Sequence, residues 1–278
     1  MKFAAKLSIA MLTTVVMASE LDPKLMRLIG RDTKVIQGID VERYRNSTLA
    51  SLYPVWLGEV SCGFGIDEGQ IHQLVRARRD GQDGEMQLIT FRGAPSVPII
   101  STGGEASLAL LDSTTGIIGD ADSVREAVGR WRQEASGSGD VAAKARQLSA
   151  SYDAWFLAVR PLEKLDGVRT GSVLKPEDDL RTLIEEVRGG IRLGAFNEVS
   201  VDVVMKTADD AVALAGISRW LPGLLQLEES NSPEAAIANR VENFAVTASG
   251  RIVSISFSIA ESQLEELARS RKVVEDRP

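Results

Sequence analysis

Few residues in this chain have the type and spacing to do chemistry. Ser172 and Lys175 stand three apart in Gly171-Ser172-Val173-Leu174-Lys175-Pro176. On a helix, that spacing sets a lysine amine beside a serine hydroxyl. The amine can then take the hydroxyl proton and leave a nucleophile for acyl transfer. His72 is the only histidine, which excludes an H-E-x-x-H site and any zinc site built from several histidines. Cys62 is the only cysteine, so no intramolecular disulfide can form. It reads as a small buried hydrophobe, with a disulfide-linked dimer as the sharper alternative. A Cys62–His72 dyad has the right atoms but no supporting pattern. A serine triad on His72 lacks the G-x-S-x-G elbow.

Penicillin-recognising enzymes use the serine–lysine spacing, and a cell-wall substrate would suit an exported chain. Three features weigh against it. Pro176 and the acidic run Glu177-Asp178-Asp179 put Ser172 ahead of the following helix instead of inside it. No S-x-N follows. The nearest approach to K-T-G is Lys206-Thr207-Ala208, whose alanine replaces the glycine that lets a backbone come close. The glycines of Gly103-Gly104 and Gly189-Gly190 match neither a P-loop nor a dinucleotide fingerprint. Asp178-Asp179, Glu185-Glu186 and Asp209-Asp210 suit helix starts and solvated helix faces, and no loop follows the calcium pattern. The expectation is a chain without catalytic residues, cofactor-binding residues, metal ligands or a cofactor, leaning away from enzymes.

The 278 residues carry 39 acids against 32 bases, a formal charge of −7. Such a balance disfavours nucleic acid, whose phosphates call for dense basic patches, and no polybasic run offers itself to anionic lipid. One basic cluster stands out. Arg76, Arg78 and Arg79, with Arg92 on the neighbouring expected strand, could line a sheet surface. It reads either as a solvated edge paired with acids such as Glu85, or as a contact for a small anionic ligand or a partner protein.

Residues 1–18 have the pattern of a secretory signal peptide. Lys2 and Lys6 precede an apolar run from Leu7 to Met17, and Val16-Met17-Ala18 suits cleavage after Ala18. The apolar core is too short for a bilayer of roughly 30 Å hydrocarbon thickness. A periplasmic or extracellular protein without stable membrane insertion is the expectation.

Ala135-Ser136-Gly137-Ser138-Gly139-Asp140 is Ser/Gly-rich and reads as a connector over 135–147, between halves spanning 19–134 and 148–272 and followed by a polar tail, 273–278. In the second half, Phe244 to Ala248 and Val253 to Ile259 alternate about Ser249-Gly250. A two-residue loop there would set Val246 opposite Val253 and Phe244 opposite Ile255. Ser258 and Glu261 fit a capping box for a helix carrying Leu264, Leu267 and Ala268. Tyr152 to Val159 and Val199 to Met205 read as strands. Leu180, Leu183, Ile184 and Val187 have helical spacing, ending at Gly189. In the first half, strands are expected at Lys34–Val41, Gln70–Arg78, Glu85–Arg92, Leu108–Leu111 and Thr115–Ile118. Helices are expected at Glu42–Leu52 and around Val124, Ala127, Val128 and Trp131, the latter capped by Ser123 and Glu126.

Each half reads strand, helix, antiparallel strands, helix, and each pairs an Ala-Asp helix start with an Arg-Trp: Ala121-Asp122 with Arg130-Trp131, Ala208-Asp209 with Arg219-Trp220. This hints at internal duplication, with both tryptophans as core anchors. The expected class is α+β, antiparallel sheets with helices on one face, in two similar halves.

Gly38-Ile39-Asp40-Val41, Gly63-Phe64-Gly65-Ile66-Asp67 and Gly119-Asp120-Ala121-Asp122-Ser123-Val124, in that order after the signal pattern, resemble a group of uncharacterised secreted bacterial proteins with no established activity. The chain departs from that group where Gly65-Ile66-Asp67-Glu68 replaces a more usual aspartate-proline. The resemblance implies export and α+β architecture and carries no activity over. The functional expectation is an exported binding or interaction module of the cell envelope. Its alternatives are a serine acyl-transfer enzyme using Ser172 and Lys175, or a structural subunit of an envelope assembly.

Overall fold

A computed structural model describes residues 21–52, 66–79, 85–93, 100–103, 106–133, 139–159, 180–220 and 239–275. The signal pattern, Cys62, Ser172 and Lys175 lie outside the described residues.

The chain runs α1 (Pro23–Leu28), β1 (Thr33–Asp40), α2 (Val41–Arg45), α3 (Thr48–Leu52), β2 (Ile71–Arg79), β3 (Glu85–Phe91), β4 (Ile100–Gly103), β5 (Ala106–Leu110) and β6 (Thr115–Gly119). Then follow α4 (Ala121–Arg132), α5 (Asp140–Ser149), β7 (Ala154–Val159), α6 (Leu180–Leu183), β8 (Ile184–Arg192), β9 (Phe196–Met205), α7 (Ala208–Ser218), β10 (Glu242–Ser249), β11 (Ile252–Ala260) and α8 (Glu261–Glu275). Among the described residues, all eleven strands join one antiparallel sheet in the order β10-β11-β9-β8-β7-β1-β2-β3-β6-β5-β4. The two halves meet where β1 pairs with β7, Gln37 opposite Phe156 and Ile39 opposite Ala154. Outward from that seam the order is partly mirrored: each side starts with three consecutive strands, β1-β2-β3 and β7-β8-β9, and ends in a reversed set, β6-β5-β4 on one side and β11-β10 on the other. Mirrored order does not by itself establish duplication.

Alternation along the strands feeds apolar side chains to both faces. Ile36, Val75, Leu88, Ile117, Trp155 and Leu157 meet α1, α4 and α5 on one face, here the back. Ile39, Leu74, Ile89 and Ile118 meet Val41 and Tyr44 of α2 on the other, the front. α7 covers Val203, Met205 and Val253, and α8 covers Ile259 beside Leu52 of α3, on the front as well. Helices on both faces correct the one-face expectation. The reason is burial: β1 to β3 and β6 bury side chains on both faces, polar Gln73 and Arg76 of β2 included.

Local chemistry departs from the sequence reading at several points. Residues 140–147 of the expected connector lie in α5, whose Ala142, Ala145 and Leu148 are buried. The expected helix at Leu180 stops at Leu183, and Ile184–Arg192 is a strand between β7 and β9. Its helical spacing was misleading because the register shifts at a bulge between Ile184 and Glu186, which sets Ile184 and Val187, three residues apart, on one face. Ile184 and Val187 pack forward, while Glu186 and Arg188 face back into an ion-pair network with Lys144 and Asp202. Gly189 and Gly190, poor helix formers, fit where neighbours press closest: a Cβ would come 2.2 Å from the Ser200 carbonyl oxygen at Gly189 and 2.5 Å from the Ala154 carbonyl oxygen at Gly190.

The β10–β11 hairpin forms, with a register two residues from the expected one. Val246 faces Ile255 and Ala248 faces Val253, around Gly250-Arg251. A two-residue shift preserves which side chains share a face, so burial could not discriminate the two registers. Gly250 at φ 55° takes the turn position that glycine favours. Asp120, not Ser123, caps α4 by accepting from the N–H groups of Asp122 and Ser123. The Ser258–Glu261 box does not form, because β11 runs on to Ala260 and the Ser258 hydroxyl accepts from Asn243 Nδ2 at 2.9 Å. The Glu42–Leu52 helix is two short helices, α2 and α3.

Candidate functional site

The site sits over the seam. On the front face, Gln37 and Ile39 of β1 lie beside Ala154 and Phe156 of β7, then Ile191 of β8 and Val199 of β9. Tyr44 of α2 and Leu49 of α3 overhang this floor, and together they frame a half-open cavity of about 380 Å³. Gly38, Trp155 and Gly190 complete the lining. They belong to the alternate, back-facing positions, so they offer backbone. Among the lining side chains only Gln37 and the Tyr44 hydroxyl are polar, and that hydroxyl donates to the Leu49 carbonyl at 3.5 Å. A concave, mostly apolar space with a few polar groups is the usual form of a small-molecule site.

Three arrangements hold its walls. Behind the floor, the buried Trp155 indole packs on Gly38, where a Cβ would come 2.4 Å from the ring. At one end, Asp40 caps α2 by accepting from the Arg43 N–H at 3.0 Å, and the Asp153 carboxylate accepts from Arg43 Nη1 at 2.5 Å and from the Leu193 N–H at 2.7 Å. At the other, Glu261 at the start of α8 accepts from the Thr48 N–H at 2.8 Å and from Asn197 Nδ2 at 2.5 Å. Burial pushes the Glu261 carboxyl up, but the hydrogen bonds from Thr48 and Asn197 outweigh it and the net direction is down. α2, α3 and α8 are thereby tied to the strand ends that frame the cavity.

The residues singled out from sequence do not converge here. Arg76 is buried in β2, which is an inner strand and not an edge. Arg79 pairs with Asp32 and Glu126, and Arg92 with Glu42. Arg78 lies opposite Glu85. His72 is half-buried on β2. Trp131 packs partly buried against the back-face core, whereas Trp220 is 74 % exposed. That corrects the reading of Trp220 as a core anchor: it follows the last turn of α7, on the side away from the buried Ala211, Ala215 and Ser218. Among the described residues no group of three or more His, Cys, Asp or Glu side chains could hold a metal ion, and no described helix is long and apolar enough to cross a membrane. Gln37, Tyr44, Phe156, Ile191 and Val199 carried no functional signal in sequence. Each reads as an ordinary member of an alternating strand or an apolar helix face.

No protein-family model and no curated protein matches the chain. Solved structures of TP0453 do match it in shape. Crystal form III aligns with a TM-score of 0.54 at 5 % identity, covering 90 % of this chain and 98 % of that one. Crystal form IV gives 0.52 at 7 % identity, over 90 % and 96 % of the two chains. Crystal form I gives 0.50 at 9 % identity, over 91 % and 98 %. The likeness is of fold alone.

Proposed function

We propose that this chain is an exported, non-enzymatic binding module of the cell envelope, and that its site is the cavity beneath Tyr44 and Leu49. The observation that carries the reading is the lining: a space of about 380 Å³ with apolar side chains from four strands and two helices, and no charged side chain among them. A compact, uncharged ligand suits it, because burying an unpaired charge there would cost several kcal/mol. Gln37 offers one amide to orient the ligand. The signal-peptide pattern of residues 1–18 supports export. The partly mirrored strand order, β1-β2-β3 against β7-β8-β9 about the seam, supports descent of the two halves from a duplication, with the site between them.

The test is titration with N-phenyl-1-naphthylamine, a neutral apolar fluorophore. Saturable fluorescence enhancement is expected, and Ala154→Phe, which fills the cavity, weakens it about tenfold or more while far-UV circular dichroism is unchanged. Enhancement that never saturates, or that survives cavity filling, overturns the reading. Export is checked separately by N-terminal sequencing of protein recovered from the envelope. A start at Ser19 is expected, and a start at Met1 in the cytosol contradicts it.

A further inference from the structure

The back face of the sheet carries a second cleft, over β8, β9 and β11. Pairing sets Gly190, Ser200 and Ser256 side by side across the three strands, with Arg192, Glu198 and Ser258 in the row beside them. One row is small and the other carries long side chains, so the surface dips into a trough. Tyr152 closes one end: its side chain lies on Gly190, where a Cβ would come 2.5 Å from Tyr152 Cγ. At the other end, β10 holds one extra residue between Glu242 and Ala245, opposite Ser258 and Ser256. Asn243 takes this bulge at φ 54°, the one non-glycine among the described residues in the left-handed region, where asparagine is enriched. Its Nδ2 donates to the Ser258 hydroxyl at 2.9 Å and fixes the amide at the rim. Tyr152, Arg192, Glu198, Asn243 and the three serines line a half-open space of about 280 Å³.

Its chemistry is the reverse of the front cavity's. Among the described residues Arg192 and Glu198 are the only charged side chains in the lining, and Arg192 Nη1 donates to the Glu198 carboxylate at 2.6 Å. Both are about half exposed, so each keeps hydrogen-bonding capacity for a ligand. The pair sums to zero charge and gives no preference to an ion of either sign. It offers a donor fork and an acceptor side by side, next to serine hydroxyls and a carboxamide. That set suits a molecule whose neighbouring hydroxyls each donate and accept. The Tyr152 ring adds an apolar flank for C–H groups. We propose that this cleft binds a neutral sugar, held at adjacent hydroxyls by Arg192, Glu198 and Asn243 and flanked by Tyr152. The volume lies at the small end for ligand sites and fits a single pyranose ring. The sheet separates this site from the apolar cavity, so the two readings stand or fall independently.

Saturation-transfer NMR of the full chain tests the proposal, with glucose, galactose, mannose and N-acetylglucosamine as probes, each free and as its methyl glycoside. Saturable transfer to at least one of them is expected, at about millimolar affinity for so small and open a site. Binding that extends to the methyl glycosides points to the end of a glycan chain as the ligand, and binding of free sugars alone to a monosaccharide; either upholds the site. Asn243→Gly removes the amide and suits the positive φ. It and Glu198→Gln should each weaken binding about fivefold or more, with far-UV circular dichroism unchanged. Ser256→Phe, at an exposed strand position, fills the trough and should abolish binding, whereas Ala154→Phe on the front face should leave it intact. No saturable transfer to any probe, transfer that survives Ser256→Phe, or tighter binding of glucuronate or glucosamine than of every neutral sugar overturns the proposal.

Discussion

Arg43 donates to the Asp153 carboxylate at 2.5 Å across 110 residues of sequence, and the Asp153 side chain is fully buried. The same carboxylate accepts from the Leu193 N–H, and the Asp153 carbonyl accepts from the Asp40 N–H at 2.7 Å. One residue thus joins the end of β1, the start of β7, the end of β8 and helix α2. Asp153→Ala should cost about 2 kcal/mol, since it removes a charge-assisted hydrogen bond from Arg43 and takes the acceptor from the part-buried Leu193 N–H. Urea unfolding measures the loss. If α2 is held over the cavity by this contact, apolar probe affinity falls in the same variant even under conditions where it remains folded.

Glycine positions around the seam should respond unequally to one added methyl. Gly189→Ala drives a Cβ against the Ser200 carbonyl, and Gly38→Ala drives one into the Trp155 ring. Neither neighbour can swing away, because one is backbone and the other is a ring packed in the core. Each should cost about 2–3 kcal/mol. Gly129→Ala, in α4 with nothing within 4 Å of the new Cβ, should instead gain about 0.5–1 kcal/mol from helix propensity. Thermal melts of the three variants give the comparison.

What the sequence made legible follows from which rules are local. Alternation in Val199–Met205 and Val253–Ile259 exposes a strand wherever one face is greasier than the other, and these were readable. Alternation fails for β8 because a bulge between Ile184 and Glu186 puts Ile184 and Val187, three residues apart, on one face, so its pattern mimicked a helix. Caps failed for a related reason: Ser258 and Glu261 have capping-box spacing, but the sheet claimed Ser258 first. The cavity was not readable at all. Its floor joins Gln37 to Phe156 and Ile191 to Val199, pairs set by strand order, and strand order is not written in the types of those residues.

Asp112 gives the clearest pH dependence. It closes the turn between β5 and β6 and binds Lys24 Nζ at 2.9 Å, fastening α1 to that turn. Burial pushes its carboxyl up, but hydrogen bonds from the Thr114 N–H, from Lys24 and from the Thr115 and Thr114 side chains overcome that and hold it at about 2, against an ordinary 3.8. The folded state therefore favours the carboxylate. Its contribution is fully present above the ordinary carboxylate range and is lost as pH falls from about 4 towards 2. Solvent screening of a partly exposed pair limits the effect to about 1 kcal/mol. Asp112→Asn should lower the melting temperature at pH 7 and flatten the acid limb of its pH profile. A limb as steep as wild type's would assign the acid sensitivity to other carboxylates.

The tryptophans offer an optical check on which elements are core. Trp155 is 5 % exposed and Trp220 74 %. Trp220 stands past the end of α7, its N–H bonded to the Ile217 carbonyl at 3.0 Å, on the side that also exposes Val212 and Ile217. Trp220→Phe should remove an iodide-quenched component of the emission and shift the remaining maximum to shorter wavelength. Trp155→Phe should remove the shielded component and also destabilise the protein, because the ring fills the space over Gly38 that no smaller side chain covers. Trp220→Ser should change stability by no more than about 0.5 kcal/mol, as expected of a solvated side chain. A large loss from Trp220→Ser would mean that the outer face of α7 is covered in solution.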